Sequence, residues 1–170
     1  MKLLRFVVGL VCATLLQALG LRLSSQFSLA FDPFLILVVY HSLDNTPLWS
    51  SVGGSAAGLA QDTLSGGLYG LHGFANTLVA YAASRLQQRL VIQQSFQVAL
   101  LFVLAAALQL AVLATLLFLL VGSAELPGPG TMAARMACSG IVGALLFVLA
   151  RKTREWRGHW RARRRGRLKI

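Results

Sequence analysis

The sequence predicts an all-α fold, a polytopic integral membrane protein whose residues 1–150 form a six-helix transmembrane bundle, with a basic tail over 151–170. Three observations predict it. Of the 170 residues, 56% are hydrophobic and only 12% charged, about half the ~25% of an ordinary soluble domain. Apolar runs of spanning length alternate with Pro/Gly breaks. The cations are gathered at one end: residues 151–170 hold ten of the sixteen Lys and Arg against one acid, Glu155, a net +9, while the other 150 residues carry a net +2. The isoelectric point near 11.3 therefore belongs to a tail, not to a basic globular surface. Both cysteines, Cys12 and Cys138, lie inside apolar runs with no metal-ligand spacing around them and read as packing residues.

A spanning helix needs about 20 residues. The first is expected over 3–21. Lys2 and Arg5 before an apolar core also suit a signal peptide, but the run is long and no A-x-A site follows it, so it reads as a retained helix. The second, over 33–46, opens at Asp32-Pro33, a good N-cap followed by a proline whose missing N–H costs nothing at the first helical position. Its apolar part, Pro33 to Leu43, corresponds to only about 16 Å of helix; it is short, or it borrows Phe27 to Phe31. Thr46-Pro47 repeats the device and opens a third segment over 47–64, which Ser65-Gly66-Gly67 breaks. The remaining segments are expected over 68–86, 96–121 and 132–149, the last two separated by the loop "SAELPGPGT".

Charge orients this arrangement. With a cytoplasmic N-terminus and six spans, Lys2, Arg5, Arg85, Arg89 and the ten tail cations face inward, and only Arg22 and Arg135 face outward, as the positive-inside rule requires. If the third segment merely dipped in and returned, Arg85, Arg89 and the whole tail would face outward, so the pattern rejects that topology.

Ionisable and amide groups inside membrane helices are costly and are candidate functional residues. Asp62 lies at the outer end of the third segment, where it can accept hydrogen bonds from the positive N-terminus of the fourth or meet a partner or ligand. His72 and Asn76 are four apart and share a helix face with Ala80 and Ser84, with Gly73 and Thr77 alongside. Gly54 and Gly58 form a GxxxG pair flanked by Gly53, Ala56 and Ala57, a surface that lets two membrane helices approach closely. Gly53, Gly54, Gly58, Gly66, Gly70 and Gly73 are therefore candidate packing residues. Asp62, His72, Asn76, Gly58 and Tyr69 are candidate partner or ligand contacts.

No enzyme follows from these residues. Paired carboxylates, HExxH, GxSxG and a phosphate-binding glycine loop are all absent from the sequence; His41, His72 and His159 are too scattered for a metal site, and no cofactor is implied. In the tail, Arg151, Lys152 and Arg154 follow the last span, where anionic headgroups attract cations by about 1 kcal/mol each. Trp156 and Trp160 fit an interfacial anchor beside them. Charge alone would admit nucleic acid, but no reader domain accompanies it.

The stretch "GLAQDTLSGGLYGLHGFANTLVAY" resembles the signature region of the bacterial MreD family, through Gly58, Leu59, Asp62, Ser65, Gly66, Leu68, Gly70 and Tyr81. "DPFLILVVY", Asp32 to Tyr40, is similar to that family's second helix, with Asp-Pro in place of the more usual Pro-Asp. The resemblance implies a non-enzymatic inner-membrane component of the cell-wall elongation complex. Its expected partners are the bitopic protein MreC, the actin-like MreB filaments and the peptidoglycan polymerase–transpeptidase pair, with both of its own termini cytoplasmic. It also implies a fold similar to the substrate-binding component of energy-coupling-factor transporters, which supplies a rival expectation: a small-solute-binding membrane component in which Asp62, His72 and Asn76 line a cavity.

Overall fold

The computed structural model describes residues 2–23, 31–66, 68–89 and 95–121, together with 130, 137, 138, 141–143 and 145. These residues form α1 (Lys2–Leu23), α2 (Pro33–Leu43), α3 (Pro47–Ser65), α4 (Leu71–Arg89) and α5 (Ser95–Val121). Further helical residues lie at 137–138 and 141–143, and no strand occurs among the described residues. The basic tail, including Arg151, Lys152, Arg154, Trp156 and Trp160, lies outside the described residues, as does most of the expected sixth span.

Each helix end has a local cause. Asp32 caps α2, its side chain accepting from the backbone N–H groups of Phe34 and Leu35, and Pro33 occupies the first helical position. The helix closes at Leu43 with Asp44 at the C-cap, so it is 11 residues long, about 16 Å. Residues 44–46 are a turn, and Thr46-Pro47 starts α3 directly behind it; here only half of the expected device operates, because Pro47 takes the first helical position while the Thr46 side chain makes no capping hydrogen bond. α3 stops at Gly66, which is left-handed at φ 63°, a conformation that costs any residue with a Cβ about 1–2 kcal/mol. Gly70, at φ 95°, makes the chain double back, and α4 therefore begins at Leu71, three residues after the apolar run itself begins.

By length and composition α1 (Leu3–Arg22) and α5 (Gln97–Leu120) are apolar enough to cross a membrane, and α2 is a shorter apolar helix. α3 and α4 carry more small and polar side chains and pack closely as an antiparallel hairpin, with α2 and α5 against α4 and α1 against α2 and α3. One apolar cluster joins Leu35, Val39, Val79, Val98, Phe102 and Ala106, drawn from α2, α4 and α5. A second joins Phe6 and Ala13 of α1 to Phe34, Val38, Ala57 and Ala80. The outer faces of α1 and α5 remain apolar and exposed, with Leu4, Val8, Leu15 and Leu19 on one and Phe118, Leu119 and Leu120 on the other. A surface of this kind suits hydrocarbon.

The hairpin rests on the missing side chains of α3. A Cβ on Gly54 would overlap the carbonyl oxygen of Asn76, and one on Gly58 would overlap that of His72; in both cases the obstacle is backbone of α4. Gly53 points elsewhere: its Cβ would come within 2.7 Å of the His41 ring edge on α2, a side chain able to shift. Gly54→Ala and Gly58→Ala are therefore expected to destabilise the protein by more than the roughly 1–3 kcal/mol of ordinary overpacking, and Gly53→Ala by less. Thermal unfolding of the three variants in one detergent, followed by circular dichroism, checks the order.

Candidate functional site

Two polar constellations lie within the helices. The first is Asp62, in the last turn of α3 and 2% exposed. Its Oδ2 accepts from the backbone N–H of Gly70 at 2.9 Å and of Gly73 at 3.1 Å, and its Oδ1 from the N–H of His72 at 3.0 Å. The His72 ring adds a contact from Nδ1 to Oδ1 at 2.8 Å. The first N–H groups of a helix have no partner within it, and here the carboxylate of the preceding helix satisfies them, opposite the positive end of the α4 dipole. Asp62 thus locks the turn that Gly66 and Gly70 open. His72 remains half-buried beside it, and Tyr69, in the turn, is 76% exposed.

The second constellation is a closed ring contributed by four helices. Asp32 Oδ2 accepts from Gln61 Nε2 at 3.0 Å and from Gln109 Nε2 at 3.1 Å. Gln61 Oε1 accepts from Asn76 Nδ2 at 3.0 Å, and Asn76 Oδ1 accepts from Gln109 Nε2 at 2.8 Å. All four residues are buried, Asn76 and Gln109 completely. The helix registers explain why they meet. Gln61, Asn76 and Gln109 lie about 20 Å along their axes from the ends of α3, α4 and α5 near Pro47, Arg89 and Ser95. Asp32 stands on top of the short α2 at nearly the same height, because a helix of 11 residues ends inside the bundle. With Oδ1 holding the N–H groups of Phe34 and Leu35 at 3.1 and 3.0 Å, the Asp32 carboxyl accepts four hydrogen bonds, the full capacity of a carboxylate.

Of the residues singled out in the sequence, Asp62, His72 and Gly73 come together at the turn with Gly70, and Gly58 stacks beneath them on the His72 carbonyl. Asn76 separates from His72 and joins the ring, one helical turn further into the bundle. Gln61 and Gln109 carry no motif and were missed by sequence reasoning, and Asp32 was read only as a helix cap. The signal available was an amide inside an apolar run, which for Gln109 is the 27-residue α5. Among the described residues no group of three or more His, Cys, Asp or Glu is placed to hold a metal ion.

The arrangement binds four helices to one another, and its polar atoms are directed inward. In low dielectric such a network is strongly coupled. Asn76→Leu and Gln109→Leu are each expected to cost about 1–3 kcal/mol by leaving a buried partner short of a hydrogen bond. The double variant should cost less than the sum of the two, with a coupling of about 1 kcal/mol or more. A double-mutant cycle on detergent-solubilised protein measures it; strict additivity would contradict the ring. Asp62→Ala, which frees three backbone N–H groups, should lower the melting temperature more than Tyr69→Ala.

The chain was also compared with known proteins. No curated protein and no solved structure matches it. A family model described as rod shape-determining protein MreD matches residues 1–152, which include both constellations and every described helix. The chain belongs to the MreD family of rod shape-determining membrane proteins.

Proposed function

We propose that this protein is a non-enzymatic scaffold of the cell-wall elongation complex, a multi-pass inner-membrane bundle of six helices with both termini cytoplasmic. In this reading it binds the bitopic protein MreC and helps couple MreB filaments to the peptidoglycan polymerase–transpeptidase pair. The basic tail holds anionic lipid at the inner surface and takes no part in nucleic-acid binding. Family membership supports the role in rod shape. The observation that carries the scaffold reading is the state of the interior polar groups. Asn76 is fully buried with its side-chain oxygen and nitrogen engaged by Gln109 and Gln61, and both oxygens of Asp62 hold the α4 N-terminus. A solute-binding component of the energy-coupling-factor type, whose fold this bundle would share, needs such groups turned toward a cavity.

The surface left to a partner lies around the locked turn. Leu59, Leu68, Tyr69 and Phe74 are each about half exposed or more, on the end of a hairpin whose geometry Asp62 fixes. A rigid apolar and aromatic patch is what a partner helix or domain engages, and in the topology argued above it faces outward, toward the periplasmic part of MreC.

A photocrosslinking residue at Tyr69 or Phe74 is therefore expected to capture MreC in native membranes, and one at Leu104, exposed on α5, is not. Gentle detergent purification with mass spectrometry gives the companion result: Phe74→Ala should lose MreC while keeping the melting temperature. Recovery of a coupling subunit with ATPases, or of a retained polar solute, would overturn the scaffold reading.

A further inference from the structure

The outward face of α4 changes character along its length. Phe74, Leu78, Tyr81, Arg85 and Arg89 are all exposed and stand three or four residues apart, so they form one line down the helix. Phe74 lies at the end locked by Asp62, and the other end carries the two guanidinium groups. There Tyr81 holds Arg85: the Arg85 Nε donates to the Tyr81 hydroxyl oxygen at 3.1 Å, and the guanidinium carbon lies 5.4 Å from the ring centre. The direction of this contact is informative. Side chains on a helix lean toward its N-terminus, which for Arg85 is toward the middle of the bundle. An arginine near the end of a membrane helix ordinarily extends the other way, into water. Arg85 instead folds back over a residue four positions, about 6 Å along the axis, nearer the hydrocarbon. Among the described residues neither Arg85 nor Arg89 has a carboxylate partner.

We infer that Tyr81, Arg85 and Arg89 form a binding site for the phosphate of an anionic phospholipid, in the leaflet at the Arg89 end of α4. The Tyr81 oxygen accepts from Arg85, so its own O–H remains a donor, as do the two Nη groups of Arg85. A phosphate oxygen beside the pair accepts from both in charge-assisted hydrogen bonds. Arg89, one turn further on, adds a second positive charge and favours a headgroup of net negative charge. The ammonium of a zwitterionic lipid would instead lie among cations with no carboxylate to meet it. Next to the phosphate, the Tyr81 ring and the exposed Leu78 offer the apolar surface that an acyl chain covers, which singles out a lipid over free phosphate. Tyrosine suits this level, because its apolar ring and polar hydroxyl fit the boundary between hydrocarbon and headgroups. The inference rests on the reading that α4 spans the membrane with Arg85 and Arg89 at the inner surface. It involves neither MreC nor the basic tail.

Native mass spectrometry of the full chain, delipidated and titrated separately with phosphatidylglycerol, phosphatidylcholine and inorganic phosphate, tests it. One tight equivalent of phosphatidylglycerol is expected, preferred about tenfold over phosphatidylcholine and not displaced by equimolar inorganic phosphate. Tyr81→Phe is the decisive variant, since it keeps the ring and every charge and removes only the hydroxyl. It should weaken the tight equivalent about tenfold, the worth of one hydrogen bond to a charged group. Arg85→Gln should weaken it at least as much, and Arg89→Gln about fivefold. Arg5→Gln, at an exposed position on α1, removes the same charge and should change nothing. All four variants should keep the parent melting temperature in detergent, which separates lost lipid from lost fold. Undiminished binding by Tyr81→Phe, or equal losses in Arg5→Gln and Arg85→Gln, would show only diffuse attraction between cations and anionic lipid and would overturn the inference. So would displacement by equimolar inorganic phosphate, or a photocrosslinking residue at Leu78 that captures a protein helix in native membranes instead of lipid. Loss of the lipid site with MreC capture at Tyr69 intact sinks this inference alone; absence of the chain from membranes sinks the common premise.

Discussion

Everything in this bundle depends on where four side chains can find hydrogen bonds. A polar group inside a membrane domain has no water to fall back on, and Asp32, Gln61, Asn76 and Gln109 satisfy one another across four helices. This fixes the axial register of α3, α4 and α5 against the top of α2 in a way that apolar contacts do not, because between membrane helices lipid competes evenly with side-chain packing. A slip of one residue along any of these helices would turn its amide away and strand the other three. The ring therefore contributes specificity as well as stability.

The ring and the glycine contact are two parts of one device. Close approach of α3 and α4 at Gly54 and Gly58 brings Gln61 within reach of Asn76, and the same approach lets Asp62, the next residue, reach over the start of α4. Adjacent residues of α3 thus serve different structures: Gln61 turns into the bundle, and Asp62 closes the turn. The short α2 is part of the device as well. Were it extended upward by the two further turns a full span needs, the Asp32 carboxyl would move out of the plane of the amides.

Much of this was legible in the sequence, and the part that was not has a physical reason. Asp-Pro marks the start of α2 by capping and proline together and Thr-Pro that of α3 by its proline alone, because such chemistry acts over three or four residues, and Ser-Gly-Gly marks the turn for the same reason. The GxxxG pair and the reach of Asp62 toward α4 were readable because both partners lie within one hairpin. The ring was not, since its bonds to Asp32 join positions 29 and 77 residues apart, and nothing in the local pattern pairs Gln109 with Asp32. His72 and Asn76, spaced to share a face, illustrate the limit: helical periodicity sets a direction, but depth in the bundle decides that one closes the turn and the other joins the ring.

The ring and the locked turn are each satisfied within the bundle. The buried carboxyl oxygens of Asp32 and Asp62 and the amides between them have partners, whereas Gln17 Oε1 and Ser50 Oγ are buried without one among the described residues. What these contacts give the surface is shape: a turn locked by Asp62 that presents Tyr69 and Phe74 at one end of the hairpin. The Gly54/Gly58 side of α3 is pressed against α4, so that turn sits on the most closely packed pair of helices among the described residues.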